Sequence, residues 1–130
     1  MILLLLMIST NVFAEWTRVG GNKSSNKNGD MTVYIDFETI KKKDNKVKIW
    51  TLLDFKKVQK NENDRFLSMA LHNEFDCEED TSRTLDIYSF SGNMRGGDKV
   101  YSLSNIKDER KSILPESIEE IIFKRACAKK

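Results

Sequence analysis

The sequence predicts an α+β domain: a single antiparallel β-sheet of about six strands with a C-terminal α-helix packed on it and one disulfide bond. Three observations support this class. Segments with alternating apolar and polar side chains follow one another through residues 16–103, and short polar turns join them, which favours antiparallel pairing. After Pro115 the apolar spacing changes to that of a helix. Two cysteines are available to tie the helix to the sheet.

Residues 1–14 have the pattern of a cleavable signal peptide. An apolar run from Ile2 to Ile8 is followed by polar residues and by Val12-Phe13-Ala14, which fits a small-residue cleavage site after Ala14. The run is too short to span a bilayer, which needs about 20 apolar residues. No Lys or Arg precedes it, and we interpret the basic part as lying upstream of the assigned start. A buried first strand is the alternative, which a run of leucines, lacking branching at Cβ, disfavours.

Length and charge limit what the mature domain can be. Removal of 14 residues from 130 leaves 116, enough for one domain. The 22 Lys plus Arg nearly balance the 20 Asp plus Glu, so the net charge is +2. This is too small for the strong positive field that nucleic-acid and membrane-surface proteins usually carry.

Six strands are predicted from alternation, in chain order. They cover residues 16–19, 31–36, 47–56, 66–77, 83–90 and 99–103. The first ends at Gly20-Gly21, and the second is followed by a turn over 37–40 and a charged turn over 41–46. A charged loop is predicted over 57–65, an acidic turn over 78–80 and a glycine-containing turn over 91–98. The clearest alternation is in the third strand, where one face carries Val47, Ile49, Thr51, Leu53 and Phe55.

The fourth strand alternates as well. One of its faces carries Leu67, Met69, Leu71, Phe75 and Cys77, and the other carries Phe66, Ser68, Ala70, His72 and Glu74. The pattern is that of a strand with two distinct faces.

The C-terminal helix has a recognisable start. Ser117-Ile118-Glu119-Glu120 matches a capping box, in which the serine hydroxyl accepts from an early helical N–H and the glutamate reaches back. Ile118, Ile121, Ile122 and Ala126 follow at helical spacing. This stripe predicts that the helix lies on the sheet.

Cys77 and Cys127 are predicted to form a disulfide bond, because exported proteins are kept oxidised. Cys77 ends a predicted strand and Cys127 lies in the last predicted helical turn. A thiol oxidoreductase is disfavoured, since the chain has no Cys-x-x-Cys.

No set of residues predicts catalysis, a cofactor or a metal. His72, the single histidine, would project from the opposite strand face to Cys77. The acidic residues 76–80 lack the spacing and the glycine of a calcium loop. Gly92, Gly96 and Gly97 precede a strand, whereas a phosphate loop precedes a helix. We therefore expect a non-enzymatic protein, with a small hydrolase as the least favoured reading.

Lys41, Lys42 and Lys43 are the candidate partner-binding residues. Three consecutive lysines could bind an acidic polysaccharide or a partner protein. Alternatively, charges at a turn or sheet edge prevent edge-to-edge aggregation. Both interpretations stay open at this point.

Several short blocks in a fixed order carry a family resemblance. They are Ala14-Glu15-Trp16-Thr17-Arg18-Val19-Gly20, Val33-Tyr34-Ile35-Asp36, Lys48-Ile49-Trp50-Thr51-Leu52-Leu53-Asp54-Phe55, Glu74-Phe75-Asp76-Cys77, Ser91-Gly92-Asn93-Met94, Pro115-Glu116-Ser117-Ile118 and Ala126-Cys127. Across nearly all of residues 15–130 the chain resembles the surface-adhesin protein E-like domain family. The resemblance implies a six-stranded antiparallel sheet and a C-terminal helix pinned by the Cys77–Cys127 bond.

The resemblance also implies a surface or periplasmic location and a binding function. The adhesin that gives the family its name binds host matrix proteins such as vitronectin and laminin, and a basic stretch before the first cysteine is associated with that binding. Here residues 64–77 contain Arg65 and His72 as their basic or potentially basic groups. The leading hypothesis is an exported non-enzymatic binding domain that binds a host extracellular-matrix protein. The alternative is a periplasmic structural or stress-related envelope protein with no adhesive role.

Overall fold

The computed structural model describes residues 15–22, 30–107 and 109–128. Within them the chain forms seven β-strands, a 3-10 turn at Asn93–Arg95 and one α-helix. The strands are β1 (Thr17–Asn22), β2 (Met31–Lys43), β3 (Lys46–Lys60), β4 (Arg65–Asp76), β5 (Thr81–Phe90), β6 (Lys99–Leu103) and β7 (Lys111–Ser112), and helix α1 covers Ile118–Ala126. The predicted signal peptide, residues 1–14, lies outside the described residues.

The strands form one sheet in sequence order, β1-β2-β3-β4-β5-β6, and each is antiparallel to its neighbours. β7 pairs with the first residues of β5, where Ser112 lies opposite Thr81. The predicted class, an antiparallel sheet of about six strands with a C-terminal helix, is confirmed. β7 has two residues, too few for an alternating pattern to reveal it.

β2 is longer than predicted, and the predicted turn over 37–40 is wrong. Those residues form a bulge inside β2: Asp36 pairs with Trp50, and pairing resumes where Lys41 meets Lys48. Asp36 supplies local partners for the unpaired backbone. Its Oδ1 accepts from the N–H of Glu38 at 3.1 Å, and its carbonyl accepts from the Thr39 hydroxyl at 2.8 Å. Bonds within the bulge thus let the strand continue instead of turning back.

The predicted charged turn over 41–46 is in fact a two-residue turn, Asp44-Asn45, between β2 and β3. Asp44 has φ 55°, a left-handed conformation that Asp tolerates. The carbonyl of Asn45 accepts from the N–H of Cys77 at 2.8 Å, which ties the turn to the end of β4. Lys41, Lys42 and Lys43 are therefore strand residues.

The predicted loop over 57–65 is also shorter, because β3 continues to Lys60 and β4 begins at Arg65. The pairing of β3 with β4 shifts register between Asp54 and Gln59. The charged residues within this bulge remain part of the strand and are exposed. In the remaining loop, the Asn61 side chain accepts from the N–H groups of Asn63 and Asp64 at 3.2 and 2.7 Å. Tertiary pairing thus overrides the low strand propensity of this charged stretch.

Helix α1 covers one face of the sheet near β1, β2 and β3. The buried core there contains Val33, Ile35, Val47, Ile49, Phe75, Ile122 and Ala126. The predicted apolar stripe of the helix is confirmed by Ile122 and Ala126, which are 3% and 1% exposed. β1 runs on through Gly20-Gly21 instead of ending there, and a Cβ atom on Gly20 would lie 3.3 Å from Cδ1 of Ile121. A glycine at this position therefore allows close approach of the helix.

The helix starts as predicted. The Ser117 hydroxyl accepts from the N–H of Glu120 at 3.1 Å. The Glu120 carboxylate lies 3.2 Å from the Lys124 ammonium, so it pairs along the helix. The serine half of the capping box is thus formed, while the glutamate takes part in an i,i+4 ion pair.

The other face of the sheet is also partly covered, which alternation alone did not indicate. Phe66, Ser68 and Ala70 are buried there. The loop over 91–98 folds across them: the Ser68 hydroxyl donates to the carbonyl of Gly92 at 2.7 Å and accepts from the N–H of Arg95 at 3.0 Å. Both faces of β4 therefore contribute buried side chains.

The predicted disulfide is confirmed. Cys77, directly after β4, and Cys127, directly after α1, are bonded with Cα atoms 5.6 Å apart. In the described part of the chain, no helix combines the length and the apolar character that crossing a membrane requires.

Candidate functional site

Four lysines of the β2–β3 hairpin form two directly opposed pairs. Lys41 lies opposite Lys48, and Lys43 lies opposite Lys46. Residues directly opposite in a sheet share a face, so the four side chains leave the hairpin on one side. All four residues are exposed. We call this set the lysine ladder.

Lys42 does not belong to the ladder. It lies opposite Val47, a core residue that is 3% exposed, and therefore on the helix side of the sheet. It lines a hollow beside Cys77 and Cys127, at the C-terminal end of α1, and it also borders the groove on the ladder face. The structure thus divides the three predicted lysines. The side chains of Lys41 and Lys43 project from one face of the sheet, and that of Lys42 projects from the opposite face.

Sequence reasoning missed Lys46 and Lys48 as members of this surface. The signal that could have found them is the two-residue turn at Asp44-Asn45. A turn of that length fixes the register, which places residue 43 opposite 46 and residue 41 opposite 48.

A groove of about 640 Å³ runs beside the ladder. It is lined by residues 41–46, Lys48, Glu74 and Asp76. Every lining residue has a charged or amide head group, with Glu74 and Asp76 on the β4 side and lysines, Asp44 and Asn45 on the hairpin side, and the stems of these side chains supply apolar surface.

Glu74 is the most buried carboxylate of the groove, with 5% of its surface exposed. Arg83 Nε lies 3.1 Å from its Oε1, Arg110 also pairs with Oε1, and Lys48 Nζ is 4.0 Å from Oε2. Burial raises the pKa of Glu74, but the hydrogen bonds and charges of the two arginines outweigh it and hold the pKa below its ordinary value of 4.5. The carboxylate is therefore ionised and neutralised by its own arginines.

Asp76 is bound mainly to the backbone. Its Oδ1 accepts from the N–H groups of Glu79 at 3.0 Å and Glu78 at 3.1 Å. The bond from Glu79, ahead of that from Glu78, lowers the pKa of Asp76 below its usual range. Asp76 thus stays ionised at neutral pH, and its hydrogen bonds stabilise the turn after β4.

The two β3 lysines of the ladder lie opposite carboxylates of β4, Lys48 opposite Glu74 and Lys46 opposite Asp76, whereas the β2 lysines face only other lysines. Among the residues that the structure describes, no carboxylate oxygen lies within 4.0 Å of the ammonium groups of Lys41, Lys43 or Lys46. Like charges directly opposite one another destabilise a strand pair. The arrangement can hold an anion, which would relieve this repulsion.

An aromatic row lies next to the ladder on the same face. The Trp50 ring stacks on His72 with centroids 4.5 Å apart and planes 3° apart, and on Tyr88 at 5.7 Å and 15°. His72 Nδ1 lies 2.9 Å from Asp86 Oδ2. His72 is thus held by Trp50 and Asp86, and Cys77 is in the disulfide. Across residues 15–22, 30–107 and 109–128, no group of three or more His, Cys, Asp or Glu is arranged to hold a metal ion.

Comparison with solved structures shows a shared fold. Crystal form II of Haemophilus influenzae protein E matches with a TM-score of 0.57 and 16% identity, over 86% of this chain and 90% of that one. Protein E from non-typeable Haemophilus influenzae matches with a TM-score of 0.56 and 16% identity, over 92% of this chain and 79% of that one. No curated protein matches the sequence.

Comparison with family models gives a match that covers nearly the whole chain. The model described as surface-adhesin protein E matches residues 16–128. It includes every described strand, helix α1 and both cysteines. On the extent of this match, the chain belongs to the surface-adhesin protein E family.

Proposed function

We propose that this protein is an exported, non-enzymatic binding domain that attaches to a host extracellular-matrix protein through the lysine ladder. The observation that carries the proposal is the register of the β2–β3 hairpin, which sets Lys41 against Lys48 and Lys43 against Lys46. This arrangement opposes hairpin stability. Its exposure, and the absence among the described residues of a carboxylate oxygen within 4.0 Å of Lys41, Lys43 or Lys46, favour a role in contact with an anionic partner.

Export supports the proposal. The surface-adhesin family implies an exported or cell-surface location. The Cys77–Cys127 bond fits an oxidising compartment. We propose that residues 1–14 are a signal peptide removed after Ala14. N-terminal sequencing of exported protein should then begin at Glu15, and a start far from Glu15 would contradict this cleavage.

Binding without catalysis is supported by the state of the reactive side chains. Cys77 and Cys127 are bonded to each other, and His72 is held by Asp86 and Trp50. The groove beside the ladder is lined by lysines, carboxylates and Asn45. Its two β4 carboxylates have partners already: Glu74 pairs with Arg83 and Arg110, and Asp76 Oδ1 accepts from the N–H groups of Glu78 and Glu79.

The test is a solid-phase assay of the oxidised protein against vitronectin and laminin. We expect saturable binding that falls at least tenfold in the double variant Lys41→Ser with Lys43→Ser. The matched control is Lys56→Ser with Lys57→Ser, two exposed lysines toward the opposite end of β3. Absence of saturable binding by the native protein, or an equal loss in the control, would refute the proposal.

A second candidate is a periplasmic structural or stress-related envelope protein with no adhesive role. It is favoured by the stretch before the first cysteine, where Arg65 and His72 are the basic or potentially basic groups and His72 is held by Asp86. Intact cells treated with protease separate the two candidates. Cleavage of the protein supports the adhesin, whereas protection until the outer layer is opened supports the periplasmic protein.

A further inference from the structure

We infer that the chemical group recognised by the lysine ladder is a sulfated polysaccharide chain of the extracellular matrix. The inference deepens the proposed function and rests on it, because it concerns the same groove. It is carried by three features: the spacing of the lysines, the absence of arginine from the groove lining, and the absence of aromatic and aliphatic side chains from that lining.

The spacing of the ladder suits a linear polyanion. Residues 41 and 43, and residues 46 and 48, are two positions apart on their strands, which separates their Cα atoms by about 7 Å. Opposed residues are about 5 Å apart across the hairpin. Each ammonium group sits on a flexible four-carbon stem, so the positive charges can follow anionic groups that repeat along an extended chain. A single compact anion would leave part of the ladder unpaired.

The residue type suits sulfate, an anion that point charges hold without a planar pair of donors. Arginine provides the planar pair of donors that phosphate and carboxylate recognition commonly uses. Among the described residues that line the groove, the cations are lysines without exception. The nearby arginines, Arg83 and Arg110, are both bound to Glu74. Sulfate esters stay ionised at all physiological pH values and are well held by point charges such as ammonium groups.

The lining disfavours an apolar peptide segment and a single-stranded nucleic acid. Protein partners are usually anchored by aromatic or apolar side chains in pockets, and single-stranded nucleic acids stack on aromatic faces. Apart from lysine stems, the groove offers carboxylates and the amide of Asn45. Trp50, the nearest aromatic residue on the same face of β3, has its ring stacked on His72. A polysaccharide is polar along its whole length and requires no such anchor.

The carboxylates of the groove determine where the polysaccharide can lie. Glu74 and Asp76 border the groove on the β4 side, and Asp44 lies at the hairpin turn. All three repel sulfate. The polysaccharide is therefore confined to a strip above β2 and β3, along the two lysine pairs.

Binding of the oxidised protein to heparin, chemically desulfated heparin, hyaluronan and single-stranded DNA tests the inference. We expect heparin to bind, and the other three to bind at least tenfold more weakly. Lys41→Ser with Lys43→Ser, and Lys46→Ser with Lys48→Ser, should each lower heparin affinity at least tenfold. The Lys56→Ser with Lys57→Ser control, outside the groove lining, should remain within twofold of the native protein. Far-ultraviolet circular dichroism and thiol titration verify that each variant is folded and oxidised.

Three results would overturn the inference: no affinity for heparin at low salt, equal affinity for desulfated heparin, hyaluronan or DNA, or equal loss of affinity in the Lys56→Ser with Lys57→Ser control. The same variants in the vitronectin and laminin assay distinguish the two proposals. Ladder-dependent binding to a matrix protein without heparin affinity would refute the sulfated ligand alone. Ladder-dependent heparin affinity without binding to a matrix protein would refute the protein partner alone.

Discussion

Lys43 and Lys46 lie directly opposite each other across the two-residue turn Asp44-Asn45, and among the described residues neither ammonium group has a carboxylate oxygen within 4.0 Å. Two positive charges thus face each other at the tip of a hairpin. The next pair along the strands, Lys41 and Lys48, repeats the arrangement, and there Glu74 lies 4.0 Å from Lys48.

Removing one side of the ladder should make the protein more stable. In Lys41→Ser with Lys43→Ser, loss of two like-charge pairs is expected to raise the free energy of unfolding by about 0.5 kcal/mol at low ionic strength. The gain should shrink in 1 M salt, where charges are screened within about 3 Å. Urea unfolding at both salt concentrations measures it. A loss of stability at low salt would show that the ladder is stabilised by a contact not identified in this structure.

Loss of the disulfide should be costly. The bond between Cys77 and Cys127 spans a sequence separation of 50 residues. In the chain-entropy model, closing a loop of this length stabilises the folded state by about 4 kcal/mol. The double variant Cys77→Ser with Cys127→Ser should lose this amount in guanidinium unfolding. Dithiothreitol should destabilise the native protein by a similar amount and leave the double variant unchanged. Two titratable thiols in the unreduced, denatured native protein would contradict the bond.

Glu74→Gln should destabilise the protein at neutral pH. The variant leaves Arg83 and Arg110 without their carboxylate. Breaking a buried ion pair costs about 3–5 kcal/mol, and because both arginines are partly exposed we expect about 2 kcal/mol. Glu120→Gln is the matched control, since the half-buried Glu120 forms an i,i+4 pair with the exposed Lys124, and its loss should cost under about 0.5 kcal/mol. If Glu74→Gln and Glu120→Gln lowered the free energy of unfolding equally in denaturant, burial of Glu74 would have no energetic effect.

The same variant predicts a pH dependence. The folded pKa of Glu74 is below its ordinary value of 4.5, so the folded state favours the ionised carboxylate. Its stabilisation is fully present above about pH 4.5 and is lost as the pH falls through the folded pKa. The unfolding free energies of the native protein and Glu74→Gln should therefore converge below pH 4.5. Asp76, whose pKa is also lowered, is present in both proteins and cancels in the difference. A constant difference down to pH 2.5 would contradict the assignment.

Docking of helix α1 should depend on Ile122. This side chain is 3% exposed and belongs to the core formed with Val33, Ile35 and Phe75. Ile122→Ala removes buried apolar volume and should lower the free energy of unfolding by about 3 kcal/mol. Ser117→Ala, which removes the cap at Glu120, should cost about 1 kcal/mol. Thermal unfolding of the two variants compares these losses. If Ile122→Ala lowered the free energy of unfolding less than Ser117→Ala, packing of the helix would stabilise the protein less than its N-terminal cap does.

The features that the sequence predicted correctly depend on neighbouring residues. Alternation from Val47 onward identified the longest strand, and Ser117 three residues before Glu120 marked the start of the helix. The two cysteines and the succession of short turns predicted the disulfide and the antiparallel order. The signal peptide over residues 1–14 stays a prediction.

The features that the sequence did not show depend on which strands pair. The bulges after Asp36 and Asp54 keep β2 and β3 extended where composition indicated a turn and a loop, because the partner strands hold the flanking residues in register. β7 exists as a strand because β5 lies beside it.

For the candidate site, the sequence by itself determined that lysines are concentrated near one turn, since consecutive residues are visible in any chain. The tertiary structure alone decided which of them act together. Strand geometry turns Lys42 toward the helix, and hairpin register adds Lys46 and Lys48 to Lys41 and Lys43. Glu74 lies beside them because β4 pairs with β3. The physical reason is that charge repulsion and ion pairing act across strands, between residues whose proximity is set by pairing and not by their order in the chain.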